Sequence, residues 1–110
     1  MFRSSMARAR VAEFRGLVEG RGQSLRSLTR EQLLDLQTTT ATEYVIVHGR
    51  PASVSVIIEV EPDQAVFVIV QGFMPGKYFT RVSDVALHGF RRHLDGRVTE
   101  LAAEELYAYD

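Results

Sequence analysis

The sequence predicts an α+β domain: two N-terminal helices packed on one face of an antiparallel, largely meander β-sheet of about five strands, with a short C-terminal helix or tail. Three observations carry this. Apolar residues recur with a helical period up to about residue 37, and with a period of two from Glu43 onward. Short turn signals (Gly49-Arg50, Pro62-Asp63-Gln64, Asp95-Gly96) punctuate the second part. A length of 110 residues, 45% of them hydrophobic and 25% charged, suffices for one core and not for two. The expected layout is a single domain over 1–110. It comprises a basic N-terminal helix or arm over 1–22, a second helix over 29–37, the sheet over 43–101 and a tail over 102–110.

The first helix is expected from about Ser5 to Glu19, with Ala7, Val11, Phe14 and Val18 on one face. Gly20-Arg-Gly22 reads as its end, Gly20 being suited to a left-handed C-cap. The second helix opens on Thr29-Arg-Glu-Gln32, a capping box in which Thr29 and Gln32 satisfy each other's backbone N–H. Leu28 and Leu33 form the accompanying staple, and the threonines at 38–40 end the helix.

Tyr44–His48 and Ala52–Glu61 read as a hairpin closed by a type II′ turn at Gly49-Arg50. In that register His48 opposes Pro51, Val47 opposes Ala52 and Val45 opposes Val54. Val45, Val47, Val54, Val56, Ile58 and Val60 then share the face covered by the helices. Ala65–Gln71 is apolar on both phases, as a central strand is, and its register depends on a two- or three-residue loop before it. Gly72–Gly76 reads as a loop. Ser83–Leu94 has helical end signals, but Asp95-Gly96 behind it is a type I′ hairpin signal and favours a strand. Ala102–Tyr109 is a last short helix or docked tail with Leu106 and Tyr107 inward.

Composition excludes some functions and leaves others open. No apolar run approaches the length of a membrane span. Without cysteine there is no disulfide, thiol nucleophile or thiolate metal site, which fits a cytoplasmic protein, and the general type is that of a small bacterial one. Seven arginines against two glutamates give residues 1–30 a charge of +5, whereas residues 31–110 carry −6. The basic arm offers nucleic-acid contact, yet no recognition signature accompanies it, and a basic helix on its own acidic body is the plainer reading.

His88 and His93 are five apart and cannot chelate one ion from one helix face or one strand face. Neither a metal nor another cofactor is expected. Ser83, Asp84 and His88 are the residue types of a hydrolase triad, without the nucleophile-elbow glycines.

The most suggestive stretch is 71–79, where Gln71, Phe73, Met74, Lys77, Tyr78 and Phe79 combine apolar bulk with a backbone set by glycine and proline. Together with the second sheet face, where Ile46 and Ile57 stand beside serines and glutamates, it points to a non-catalytic interaction module, an adaptor or an inhibitor resembling an immunity protein, binding a protein partner or a second copy. The alternative is a small enzyme or ligand-binding domain with His48, Arg50, Glu59 and Glu61 in a pocket at the sheet mouth.

Overall fold

The computed structural model describes residues 5–37, 42–75 and 84–107. In chain order these form α1 (Ser5–Arg26), α2 (Arg30–Gln37), β1 (Glu43–Val47), β2 (Arg50–Val60), β3 (Val66–Met74), β4 (Asp84–Arg92), β5 (Val98–Glu100) and α3 (Ala103–Tyr107). The strands make one antiparallel sheet in the order β1-β2-β3-β4-β5, a meander. The expected α+β architecture is the one observed.

Residues directly opposed in an antiparallel ladder share a face, so the register fixes both sides of the sheet. On one side lie Val45, Val47, Ala52, Val54, Val56, Ile58, Val66, Val68, Val70, Met74 and Phe90, packed under Phe14, Val18 and Leu25 of α1 and Leu33 of α2. This is the main core, on the face the alternation selects. On the other side Ile57, Phe67, Ile69 and Leu87 pack with Leu101 and with Leu106 of α3.

Helix α1 runs a full turn and more past its expected end. Gly20 and Gly22 lie inside it, because the end is set elsewhere. The Arg92 guanidinium, projecting from β4, donates to the carbonyls of Arg26 (2.5 Å) and Leu28 (2.8 Å), supplying partners to carbonyls that lack an intrahelical one. Gly22 is a packing residue: a Cβ there would stand 2.1 Å from the His88 ring.

Gly72 plays the matching part in the sheet, where a Cβ would stand 2.4 Å from Val18 Cγ2 and 2.9 Å from Phe14 Cζ. The expected loop at Gly72–Gly76 is therefore strand as far as Met74, and its glycine marks where α1 approaches the backbone. Gly72→Ala should cost about 1–3 kcal/mol by overpacking. Combining it with Val18→Ala should cost clearly less than the two changes summed, in urea denaturation midpoints.

Helix α2 starts as expected. Thr29 N–H donates to Gln32 Oε1 (2.9 Å) and Gln32 N–H to Thr29 Oγ1 (3.2 Å), the two halves of the capping box. At its far end the Gln37 amide donates to the Ile58 carbonyl (3.0 Å), so α2 covers the part of the β2 edge that β1 is too short to reach.

The turns depart from expectation in instructive ways. The β1–β2 turn is His48-Gly49, both at positive φ (47° and 78°), as in type I′ and not type II′. Val47 thus opposes Arg50, and Val45 opposes Ala52. A shift of two leaves every side chain on its expected face.

The β2–β3 and β4–β5 hairpins share one design. Glu61 N–H donates to the Ala65 carbonyl and His93 N–H to that of Arg97, around three-residue loops ending at positive φ on Gln64 (73°) and Gly96 (93°). In each, the loop aspartate accepts from the N–H two residues on: Asp63 from Ala65 (3.1 Å) and Asp95 from Arg97 (3.0 Å). The expected two-residue turn at Asp95-Gly96 is accordingly one residue longer, starting at Leu94. Gln64 occupies a conformation that favours glycine, and Arg30 Nε binds its backbone carbonyl (3.1 Å), a bond glycine retains. Gln64→Gly should therefore stabilise the fold by about 0.5–1 kcal/mol in thermal or urea unfolding.

Candidate functional site

The face opposite the helices is covered along only part of its length. Its rows run across the strands as Arg91–Phe67–Glu59, Gly89–Ile69–Ile57, Leu87–Gln71–Ser55 and Val85–Phe73–Ser53–Tyr44. Leu101 and Leu106 close the first two rows and reach Leu87. Gly89 permits this close seat, since a Cβ there would meet Leu101 Cδ1 at 2.5 Å and Leu106 Cδ2 at 3.0 Å. Arg91 clamps the arrangement. It donates to both Glu105 oxygens (3.0 and 2.6 Å) and to Glu61 Oε1 (2.6 Å), with its guanidinium over the Phe67 ring. The two carboxylates raise the Arg91 pKa further, and the bonds from Arg91 hold the Glu105 carboxyl below its ordinary value.

The last row and its neighbour, Ile46 opposed to Pro51, carry no such cover among the described residues. Tyr44 is 82% exposed, Ile46 70%, Phe73 43% and Val85 37%. Tyr44, Pro51, Ala52, Ser53, Phe73 and Pro75 enclose a shallow cleft of about 250 Å³ between the two rings. That volume falls below the roughly 300–1,000 Å³ of small-molecule pockets and suits a single inserted side chain.

The residues expected for binding separate accordingly. Phe73 belongs to this exposed row, and Gln71 lies in the row beside it, between Ser55 and Leu87. Met74, next to Phe73, points to the opposite face and is fully buried in the main core. Lys77, Tyr78 and Phe79 lie outside the described residues. Ile46 lies on the second face as expected; Tyr44 and Val85 are the residues that sequence reasoning missed, and the signal was a large side chain with an apolar body on the polar phase of a strand.

The four residues of the alternative pocket do not come together. His48 sits in the β1–β2 turn with its Nε2 2.7 Å from Glu13 Oε2, and the Arg50 guanidinium donates to the Pro75 carbonyl. Glu59 and Glu61 are at the other end of β2, about 30 Å from Arg50 along the strand, and Glu61 is taken up by Arg91. His93 bonds Thr99 Oγ1 (2.9 Å) at the β4–β5 turn. Among the described residues no three His, Cys, Asp or Glu side chains converge as metal ligands, and no helix is long and apolar enough to cross a membrane. Ser83 lies outside the described residues.

His88 is seated between β4 and α1. It faces α1 beneath Gly22 and accepts a hydrogen bond from Arg26 Nε at 3.2 Å, while the Arg26 guanidinium also meets Glu100 and lies over the Phe90 ring. Burial first, and Arg26 second, push its pKa below the ordinary 6.5, against the weaker pull of Glu100 and Glu19. The fold therefore favours the neutral ring. The stability this confers is complete above pH 6.5 and is lost as pH falls from 6.5 toward the lower folded-state value. His88→Gln, which keeps a neutral acceptor, should flatten the stability profile between about pH 7 and 5.5. Glu105, whose ordinary value is 4.5, contributes its acid loss only below that window. Part of the basic excess of α1 is matched within the chain, Arg21 to Glu43 and Arg26 to Glu100.

Compared with known protein families, curated proteins and solved structures, the chain finds no match in any of the three.

Proposed function

We propose that this chain is a non-catalytic protein-interaction module and that the open end of its second sheet face is the binding surface. The observation that carries this is the contrast within one face: α3 seals one half, while Tyr44, Ile46, Phe73 and Val85 stand exposed as a connected group on the other. Contiguous exposed apolar surface with aromatic anchors is characteristic of protein–protein interfaces. The enzymatic alternative needs His48, Arg50, Glu59 and Glu61 in one pocket, and these lie at opposite ends of β2. Adaptor and inhibitor roles both use such a surface.

The test is a photocrosslinking amino acid placed at Phe73, with Leu94 on the exposed β4–β5 turn as control position. Irradiation in the native host should give discrete protein adducts from position 73, the same chain included, and none from position 94. Equal or absent adducts at both positions would contradict the assignment.

A further inference from the structure

We infer that the partner at this surface is first a second copy of the chain, held by antiparallel pairing of β1 with β1 about a two-fold axis at Val45. The inference rests on the open end being a protein-binding surface and names its occupant.

The edges of the sheet are treated differently. β5 is only three residues long, and the free stretch of β2 is covered by Gln37 of α2. β1 is five residues long, ends the strand order, and contains no lysine, proline or bulge of the kind that blunts edges. Its one charged residue, Glu43, is bridged to Arg21.

The backbone parity of β1 permits the pairing. In a two-residue hairpin the residues flanking the turn exchange hydrogen bonds, so Val47, Val45 and Glu43 direct their N–H and C=O groups to β2. Those of Tyr44 and Ile46 point outward. The register that overlaps all five residues of both copies sets Glu43 against Val47, Tyr44 against Ile46 and Val45 against itself. It opposes outward-pointing residues only to outward-pointing residues, as a hydrogen-bonded ladder requires.

The side chains fit the same register. Tyr44 and Ile46, the two most exposed large hydrophobic residues among those described, become a cross-strand aromatic and β-branched pair, twice by symmetry. The row Val85–Phe73–Ser53–Tyr44 continues into Ile46 and Pro51 of the second copy, giving a strip across a ten-stranded sheet that is apolar except at Ser53. No like charges are opposed.

Sedimentation of the full chain tests this with variants. Ile46→Pro removes an N–H that β2 does not use, so the monomer should melt as the wild type does. Self-association should weaken by about thirtyfold or more, the equivalent of two lost hydrogen bonds and their packing. Tyr44→Lys and Ile46→Glu should each weaken it alone. A one-to-one mixture of those two variants should reassociate, because the introduced ammonium of one faces the introduced carboxylate of the other. A wild-type chain that stays monomeric through the micromolar range overturns the inference, and so does an Ile46→Pro chain as dimeric as wild type. A mixture that does not recover overturns the register. Adducts from position 73 to other proteins only, with a monomeric wild type, would leave the interaction module standing and remove the second copy.

Discussion

Phe14→Ala should destabilise the protein by about 3–5 kcal/mol, the largest effect expected of any single truncation here. The Phe14 ring is fully buried and lies with Val18 directly over Gly72 of β3. Removing it deletes the apolar contacts and leaves a cavity that the rigid β3 backbone cannot collapse to fill. A domain of this size has about 5–15 kcal/mol of total stability, so the variant approaches unfolding at physiological temperature. Leu17, three residues on and 41% exposed, is the control, and Leu17→Ala should cost under about 1 kcal/mol. Urea titration with an unchanged slope measures both. A Phe14→Ala loss as small as the Leu17 loss would mean that α1 is not docked through that ring.

The neighbouring residues Phe73 and Met74 should respond oppositely to the same change. Met74 is fully buried, and Met74→Ser should cost about 2–5 kcal/mol of folding free energy, since it opens a cavity and places a hydroxyl in the core. Phe73 is 43% exposed on the other face, and Phe73→Ser should cost about 1 kcal/mol or less in folding. Two strands in from the β1 edge, the ring shares a cleft with Tyr44, so its loss should also weaken association, but by less than Tyr44→Lys does. Melting curves and sedimentation of the two single variants separate the roles. A large folding loss from Phe73→Ser would reassign that ring to the core.

These two residues also mark what the sequence conceals. Read as loop, Phe73 and Met74 look alike; as adjacent strand residues they must face opposite ways. Gly72 caused the misreading, because a glycine placed for the close approach of Phe14 and Val18 looks like a turn residue until the helix above it is known. Gly22, which sits against the His88 ring, misled for the same reason, whereas Gly20 faces open space inside the helix. The true end of α1 depends on Arg92, which is remote in sequence and invisible to local pattern. Periodicity, in contrast, was sufficient for the two faces of the β1–β2 hairpin, and the turn signal at Asp95-Gly96 for the strand at Asp84–Arg92, whereas the phase of β3 depended on the length of the loop before it. Face assignments also survived the mistaken type II′ turn, because the observed type I′ turn moves the register by two and preserves side-chain parity. The candidate surface was half legible: Phe73 was visible as an unusual residue and Ile46 as an apolar member of the second face, whereas Tyr44 and Val85 passed unremarked. Which part of that face α3 leaves open follows only from where Leu101 and Leu106 settle.

Amide hydrogen exchange in β1, followed as protein concentration is raised, tests most directly whether the open end and its edge form one working surface. The N–H groups of Val45 and Val47 bond to β2 and should be protected at every concentration. Those of Tyr44 and Ile46 point outward, and should exchange quickly in dilute solution and become protected as the chains associate. Rapid exchange of Tyr44 and Ile46 at all concentrations, with association nonetheless seen by sedimentation, would place the interface elsewhere and contradict the account.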